Sequence, residues 1–357
     1  MQNSHIKVNE PASQALLDLA EAALHHQPTA FDSGREIARL LGAHRDGDLC
    51  KIGFWAPEIL ERRVPDGDVF LEVLDPVEPL KLEVTRQQLR FHRQLVPVRR
   101  IDAFCFAAVE GMRPGTRDEV GSFYALVWHD PEDQWHRVLD PLAASLPFGA
   151  FAPAEYYDIA AMQAARADKA YFAGLPEGNP VKLGPATNIL QVHVPTATAG
   201  MTLASLTRHF EFISERVSRD AELEPGDRLF MGYEAIQLMP VEPTTVYEAG
   251  PAFWAETEAG DDHIDVDLRR PDTTNWGYDV VIAGMAAINP SLLETGRPDE
   301  LIDFAAVLHN FPGKPKKLIF DVVYGHSDNQ GFETLNTHYF AGPNMYGQNI
   351  NYRNPIV

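Results

Sequence analysis

Cysteine is nearly absent from this chain, with two residues, Cys50 and Cys105, among 357. That scarcity excludes a disulfide scaffold and suits a reducing compartment. Neither cysteine lies in a Cys-x-x-Cys pair of the kind that holds zinc or exchanges electrons. Basic side chains are also few, 30 against 51 acidic ones, for a formal charge of −21. Such a balance excludes a general nucleic-acid binder, which needs a basic surface for the phosphate backbone, and argues against docking on anionic lipid. No run of about 18 apolar residues occurs, so no segment reads as a membrane span. The first residues lack a basic start followed by an apolar stretch, so they do not read as a secretory leader. These absences together lead us to expect a cytoplasmic protein.

What is present suits a folded chain of more than one domain. Residues 10–43 carry apolar side chains at helix spacing: Leu16, Leu17, Ala20, Ala23 and Leu24, then Ile37, Leu40 and Leu41. From Cys50 to Leu142 short runs rich in β-branched and aromatic residues alternate with turn signals. KIGFWAP, DVFLEVL, LKLEV, IDAFCFAAV, SFYALVWH and QWHRVLDP are read as strands of an antiparallel sandwich. Residues 153–173 read as one helix, and a stretch dense in glycine and proline marks a boundary at 175–186. The expected organisation is N-terminal helices at 1–48, a β-sandwich-like accessory domain with a trailing helix at 49–175, and a further domain at 186–357.

In that last part the rhythm changes. NILQVHVP, GYEAIQLMP and PKKLIFDVVYGH read as strands, and TLASLTRHFEFISERV and PDELIDFAAVLHN as amphipathic helices between them. Strand, helix, strand, helix, strand predicts parallel β-structure with crossover helices. A long insertion, 241–297, separates the second strand from the second helix, and 331–357 reads as a long loop. Functional residues in such folds gather at the C-terminal ends of the strands. Those ends are His193-Val194-Pro195, Met239-Pro240-Val241-Glu242-Pro243 and Asp321 to His326. The third strand is expected to be buried, with Asp321 where its apolar run stops.

LIFDVVYGH resembles the first conserved motif of the α-amylase superfamily, glycoside hydrolase family 13, an Asp-Val-Val-x-Asn-His at the end of the third barrel strand. Further resemblances follow in order. GYEAIQLMP is similar to the second strand with its terminal Met-Pro, and Asn275-Trp276-Gly277-Tyr278-Asp279 to the WGYD element after it. PDELIDFAAVLH is similar to the helix before the third strand, NINYRNP to the segment leading toward the fourth, and Asp140-Pro141-Leu142-Ala143 to the DPYA that closes the preceding module. The implied fold is multi-domain: a sandwich-like module with flanking helices, then about three βα units of a (β/α)8 barrel.

The resemblance implies roles for three residues. Tyr278 would stack on the sugar at the cleavage subsite, Asp321 would anchor the site through hydrogen bonds, and His326 would donate to the sugar's primary hydroxyl. The implied partner is an α-glucan or small α-glucoside, with no organic cofactor. Gly325 stands where the family has an Asn that in many members helps hold a structural calcium. Glycine offers no side-chain oxygen, which argues against calcium there, as does Asn349 in place of an acid. Asp261, Asp262, His263, Asp265 and Asp267 form a rival acidic cluster without EF-hand spacing, and read as a solvated loop. Asp328-Asn329-Gln330 follows His326 with no implied role.

Retaining glycoside cleavage needs two carboxyl groups about 5–5.5 Å apart. The family's nucleophile lies in a Gly-x-Arg-x-Asp motif after the fourth strand, and no such motif occurs in this sequence. No residue of the chain is therefore assigned as catalytic, and the nucleophile and the acid/base are expected to lie beyond Val357. The expectation is the N-terminal portion of a longer glycosidase or transglycosidase, inactive by itself. The alternative is a non-catalytic carbohydrate-binding or scaffold protein with a vestigial barrel. A doubly wound nucleotide-binding protein would need a glycine-rich phosphate loop, which VPTATAGMT does not supply.

Overall fold

A computed structural model describes residues 5–132, 134–176, 181–246 and 253–357. The chain starts with β1 (Lys7–Val8), α1 (Glu10–His25) and α2 (Ala30–Ala38). Asn9 caps α1 by accepting from the Ala12 amide, Pro11 sits in its first turn, and Thr29 caps α2. Then come β2 (Gly42–Asp46), β3 (Leu49–Trp55), the single turn α3 (Glu58–Glu61), β4 (Val69–Pro76), β5 (Arg86–Pro97), β6 (Arg99–Ile101), β7 (Phe104–Glu110), β8 (Phe123–His129) and β9 (Trp135–Val138). The strand β10 (Ala154–Glu155) precedes two short helices, α4 (Ile159–Ala164) and α5 (Lys169–Ala173).

Two antiparallel sheets result. One runs β1-β7-β3-β2, with β6 also on β7. Alternation along its strands splits the apolar residues between two faces. Cys50, Ile52, Phe54, Cys105, Ala107 and Val109 turn toward Leu71, Val73, Tyr124 and Leu126 of the second sheet. Phe104, Phe106 and Ala108 turn the other way, onto Leu16, Ala20 and Ile37 of the two N-terminal helices. This double cover explains why β7 is apolar almost throughout. Both cysteines are free and buried, and burial pushes the Cys105 thiol up to about 12 and that of Cys50 higher still.

The second half begins with β11 (Ile189–Val192), the short helix α6 (Val194–Ala197), α7 (Leu203–Ser218), α8 (Pro225–Met231) and β12 (Ala235–Leu238). A hairpin of β13 (Trp254–Ala259) and β14 (His263–Arg269) follows, then α9 (Asp299–His309) and β15 (Lys317–Phe320). The strands β11, β12 and β15 pair in parallel in that order. Val192, Ile236 and Leu238 of this sheet pack on Leu206, Phe210 and Ile213 of α7 and on Phe304 and Leu308 of α9. The last elements are β16 (His326–Ser327), β17 (Phe340–Asn344) and β18 (Gly347–Ile350), in the order β16-β18-β17. Among the described residues no helix is long and apolar enough to cross a membrane.

Several expectations need correcting. LKLEV is not a strand; the strand is β5, RQQLRFHRQLVP, just after it. Its polar side chains hide it from an apolar-pattern reading, because they bond across to β14: Arg86 to Asp267 and Arg90 to Asp265, at 2.5–2.9 Å. The stretch 153–173 is two helices, not one. The chain breaks where Asp168 turns inward to accept from Arg166 at 2.7 and 2.8 Å and to meet His309 Nδ1 at 2.6 Å. The second sheet runs β10-β8-β4-β5-β14-β13, with β9 on β8. It therefore recruits the hairpin 254–269 from the insertion, which the reading by segments had placed with the last part of the chain. The boundary at 175–186 falls partly on 177–180, outside the described residues. The third parallel strand is not buried: β15 is an edge strand, and Phe320 is 44% exposed.

The stretch 331–357 is not one loop, because it contains the β17–β18 hairpin. The last residues pack back on the N-terminal part of the chain. The Val357 amide donates to the Asn354 carbonyl at 3.2 Å, and the Val357 side chain, half-buried, packs with Ile356 on the cluster of Leu16, Ala20 and Phe106. Apolar side chains at these positions gain more from that covered face than from water. The end of the chain thus belongs with the N-terminal helices in space, a contact across the whole sequence that no local pattern could reveal.

Candidate functional site

The parallel sheet brings three strand ends side by side. In register, Val192 faces Leu238, and Leu238 faces Phe320. The pairing continues one residue further, where the Asp321 amide donates to the Leu238 carbonyl at 3.0 Å. Asp321 therefore leaves the sheet on a fixed backbone. Tyr278, 43 positions earlier, donates its hydroxyl to Asp321 Oδ2 at 2.8 Å, and the Gln191 amide of β11 donates to the same oxygen at 3.2 Å. The bond to Asp321, then burial, pushes the Tyr278 phenol above its ordinary range, so it stays a neutral donor at working pH.

The loop that carries Tyr278 is tightly held. Asn275 Oδ1 accepts the Gly277 amide at 2.9 Å. Gly277 has φ +94°, and a Cβ there would lie 2.4 Å from the Pro240 carbonyl oxygen. Only glycine suits that combination of positive φ and backbone contact.

Of the three residues named from sequence, Tyr278 and Asp321 thus meet directly. His326 lies on β16, paired with Asn349 of β18, and its ring is 5.6 Å from that of Tyr346. Asp328 and Gln330 serve the loop. Asp328 caps the following 3-10 turn, and the Gln330 side chain accepts from the Val246 amide at 2.9 Å and donates to its carbonyl at 2.7 Å.

Two polar residues at the site carry no role in the sequence reading: Gln191 and Glu242. Gln191 is one polar residue in a strand, and only the register places it beside Asp321. Glu242 follows the Met-Pro at the end of β12. It is 7% exposed, and its Oε2 has no hydrogen-bond partner. Burial pushes its carboxyl above the usual range; the amides of Glu242 and Val241 oppose this, and the Asp321 carboxylate adds to it. A carboxyl whose pKa is higher in the fold than in the unfolded chain destabilises the fold once ionised. That cost sets in as pH rises past about 4.3, the ordinary glutamate value. Glu242→Gln should therefore gain roughly 1–2 °C in Tm over the parent at pH 8 and nothing at pH 4. Melting curves across that range check this, and a difference independent of pH would show that Glu242 does not titrate in the fold.

Gly325 is exposed and supplies no side-chain oxygen, and Asn349 Oδ1 accepts from Asn344 at 2.9 Å. Within the acidic cluster Asp265 pairs with Arg90 and Asp267 with Arg86, and Asp262 Oδ1 lies 2.8 Å from His263 Nδ1. Among the described residues no three His, Cys, Asp or Glu side chains converge as ligands.

A family model described as hypothetical glycoside hydrolase 5, GHL5, matches residues 15–357. The fold is similar to the crystal structure of a candidate alpha amylase from Salmonella typhimurium, with a TM-score of 0.53 at 16% identity. The match covers 88% of this chain and 38% of that one, so the chain spans well under half of that protein's length. No curated protein matches the chain. With the family model matching nearly its whole length, the chain belongs to GHL5, a glycoside hydrolase-like family.

Proposed function

We propose that this chain binds a glucosyl unit of an α-glucan or small α-glucoside at the Tyr278–Asp321 corner, as part of an amylase-type glycosidase or transglycosidase. The observation that carries the reading is the 2.8 Å bond from Tyr278 to Asp321, which joins loops from two strand ends. An exposed phenol ring offers area to the C–H face of a pyranose at small entropic cost. Tyr278 and Gln191 hold Asp321 Oδ2, which leaves Oδ1 to accept sugar hydroxyls. His326 donates to the primary hydroxyl in this reading. Glycosyl transfer by carboxyl groups needs no organic cofactor. The Gly-x-Arg-x-Asp nucleophile motif of the α-amylase superfamily is missing from the sequence, so in this reading the chain by itself binds without turnover.

Calorimetric titration with methyl α-glucoside tests the site. Asp321→Asn should weaken binding about tenfold or more, because a hydrogen bond to a charged group contributes about 1.5–3 kcal/mol. Unchanged affinity would remove Asp321 from the site. Incubation with 4-nitrophenyl α-glucoside tests the second part, and turnover lost in Asp321→Asn would overturn the absence of catalysis.

A further inference from the structure

Trp276 exposes 66% of its surface and Trp135 50%, while Trp55, Trp128 and Trp254 are buried. A single exposed aromatic residue needs no explanation, but the way this one is held does. Its indole lies on the imidazole of His193, with centroids 4.9 Å apart and planes 25° apart. His193 is fixed at both nitrogens. Nε2 donates to the Asn275 carbonyl at 2.9 Å, and Nδ1 lies 3.1 Å from the Thr196 hydroxyl. A carbonyl can only accept, so Nε2 carries a proton. Next along the chain, Gly277 is locked against Pro240. The ring is thus backed by an imidazole that is itself held, and most of its remaining surface is open to solvent. It stands two residues from Tyr278, on the same loop.

We infer that Trp276, backed by His193, is a second stacking platform that takes a pyranose unit beyond the one at Tyr278 and Asp321. This rests on the reading of that corner as a sugar site, and it deepens it: the preferred ligand is an oligosaccharide. A neutral ring is the occupant because the loop continues directly from the sugar corner and because the chain's charge of −21 repels anionic ligands. A pre-held ring adds contact area without new ordering cost on binding.

The test compares methyl α-glucoside with maltohexaose by calorimetry on the whole chain. The parent should bind maltohexaose about tenfold more tightly, the worth of one aromatic stack of about 1.4 kcal/mol. Trp276→Ala should bring that ratio close to one, and Trp276→Phe should keep part of it. Acrylamide quenching of tryptophan emission should fall with maltohexaose and not with methyl α-glucoside. A ratio that stays the same in Trp276→Ala, including equal weakening of both ligands, overturns the platform alone. Methyl α-glucoside binding unaffected by Asp321→Asn overturns the sugar corner, and with it the platform's continuity. No binding of either ligand to the parent overturns both.

Discussion

Arg297→Ala should destabilise the protein by about 3–5 kcal/mol, the usual result of stripping the partner from a buried charge. Arg297 is 3% exposed, and its Nη1 donates to Glu155 Oε1 at 2.9 Å and Oε2 at 2.7 Å. Glu155 lies on β10, at the edge of the second antiparallel sheet, whereas Arg297 lies two residues before the start of α9 in the parallel part. The pair therefore ties the two halves together at a point closed to water. In the variant Glu155 keeps the Ser145 hydroxyl at 2.5 Å and the Gly121 amide at 2.7 Å, but loses its counter-charge. Arg297 also lies over the Tyr157 ring, 5.6 Å from its centroid, and that tyrosine bonds to Asp299 at the start of α9. Urea denaturation measures the loss. Adding Glu155→Gln should restore part of it, since the amide carries no charge to strand. A single-variant loss under about 1 kcal/mol would mean that water reaches Glu155.

Gly277→Ala should cost the site far more than it costs the fold. The new methyl group would meet the Pro240 carbonyl oxygen at 2.4 Å, on a residue with φ +94°. A side chain in that backbone region costs about 1–2 kcal/mol before any clash is counted. The loop is exposed at Trp276 and Tyr278, so it yields rather than unfolding the core. As it moves, the Tyr278 hydroxyl leaves Asp321 and the Trp276 ring leaves His193. Affinity for methyl α-glucoside should fall about tenfold or more, while the Tm drops by no more than roughly 2 °C. Calorimetry and a melting curve on the same preparation separate the two effects. Unchanged sugar affinity would place the 275–279 loop outside the site.

Most of the longer helices and strands were legible because their signals are local. In α7, Leu203, Leu206, Phe210 and Ile213 recur at helix spacing, and all four are buried. The motif resemblance named Tyr278 and Asp321, and the fold brings these two side chains to 2.8 Å from each other. The strand β5 was not legible, because arginines and glutamines occupy positions where a buried strand would carry apolar residues. Its polarity makes sense only beside β14, whose aspartates arrive some 175 residues later in the chain. The same limit applies to the edge position of β15, which a run of apolar letters cannot reveal, and to the seat of Val357 against the N-terminal helices.

The sequence by itself determined the type of most elements, the parallel order of β11, β12 and β15, and the strongly acidic charge. Periodicity and composition act over a few residues, and those properties follow from them. The tertiary structure alone decided that the hairpin 254–269 joins the sandwich sheet, that Gln191 reaches Asp321, and that Glu242 is sealed from water. Each of these depends on which strand ends become neighbours. That is set by the packing of distant apolar faces, whose gain offsets the entropy of closing long loops. No short stretch of sequence carries that balance.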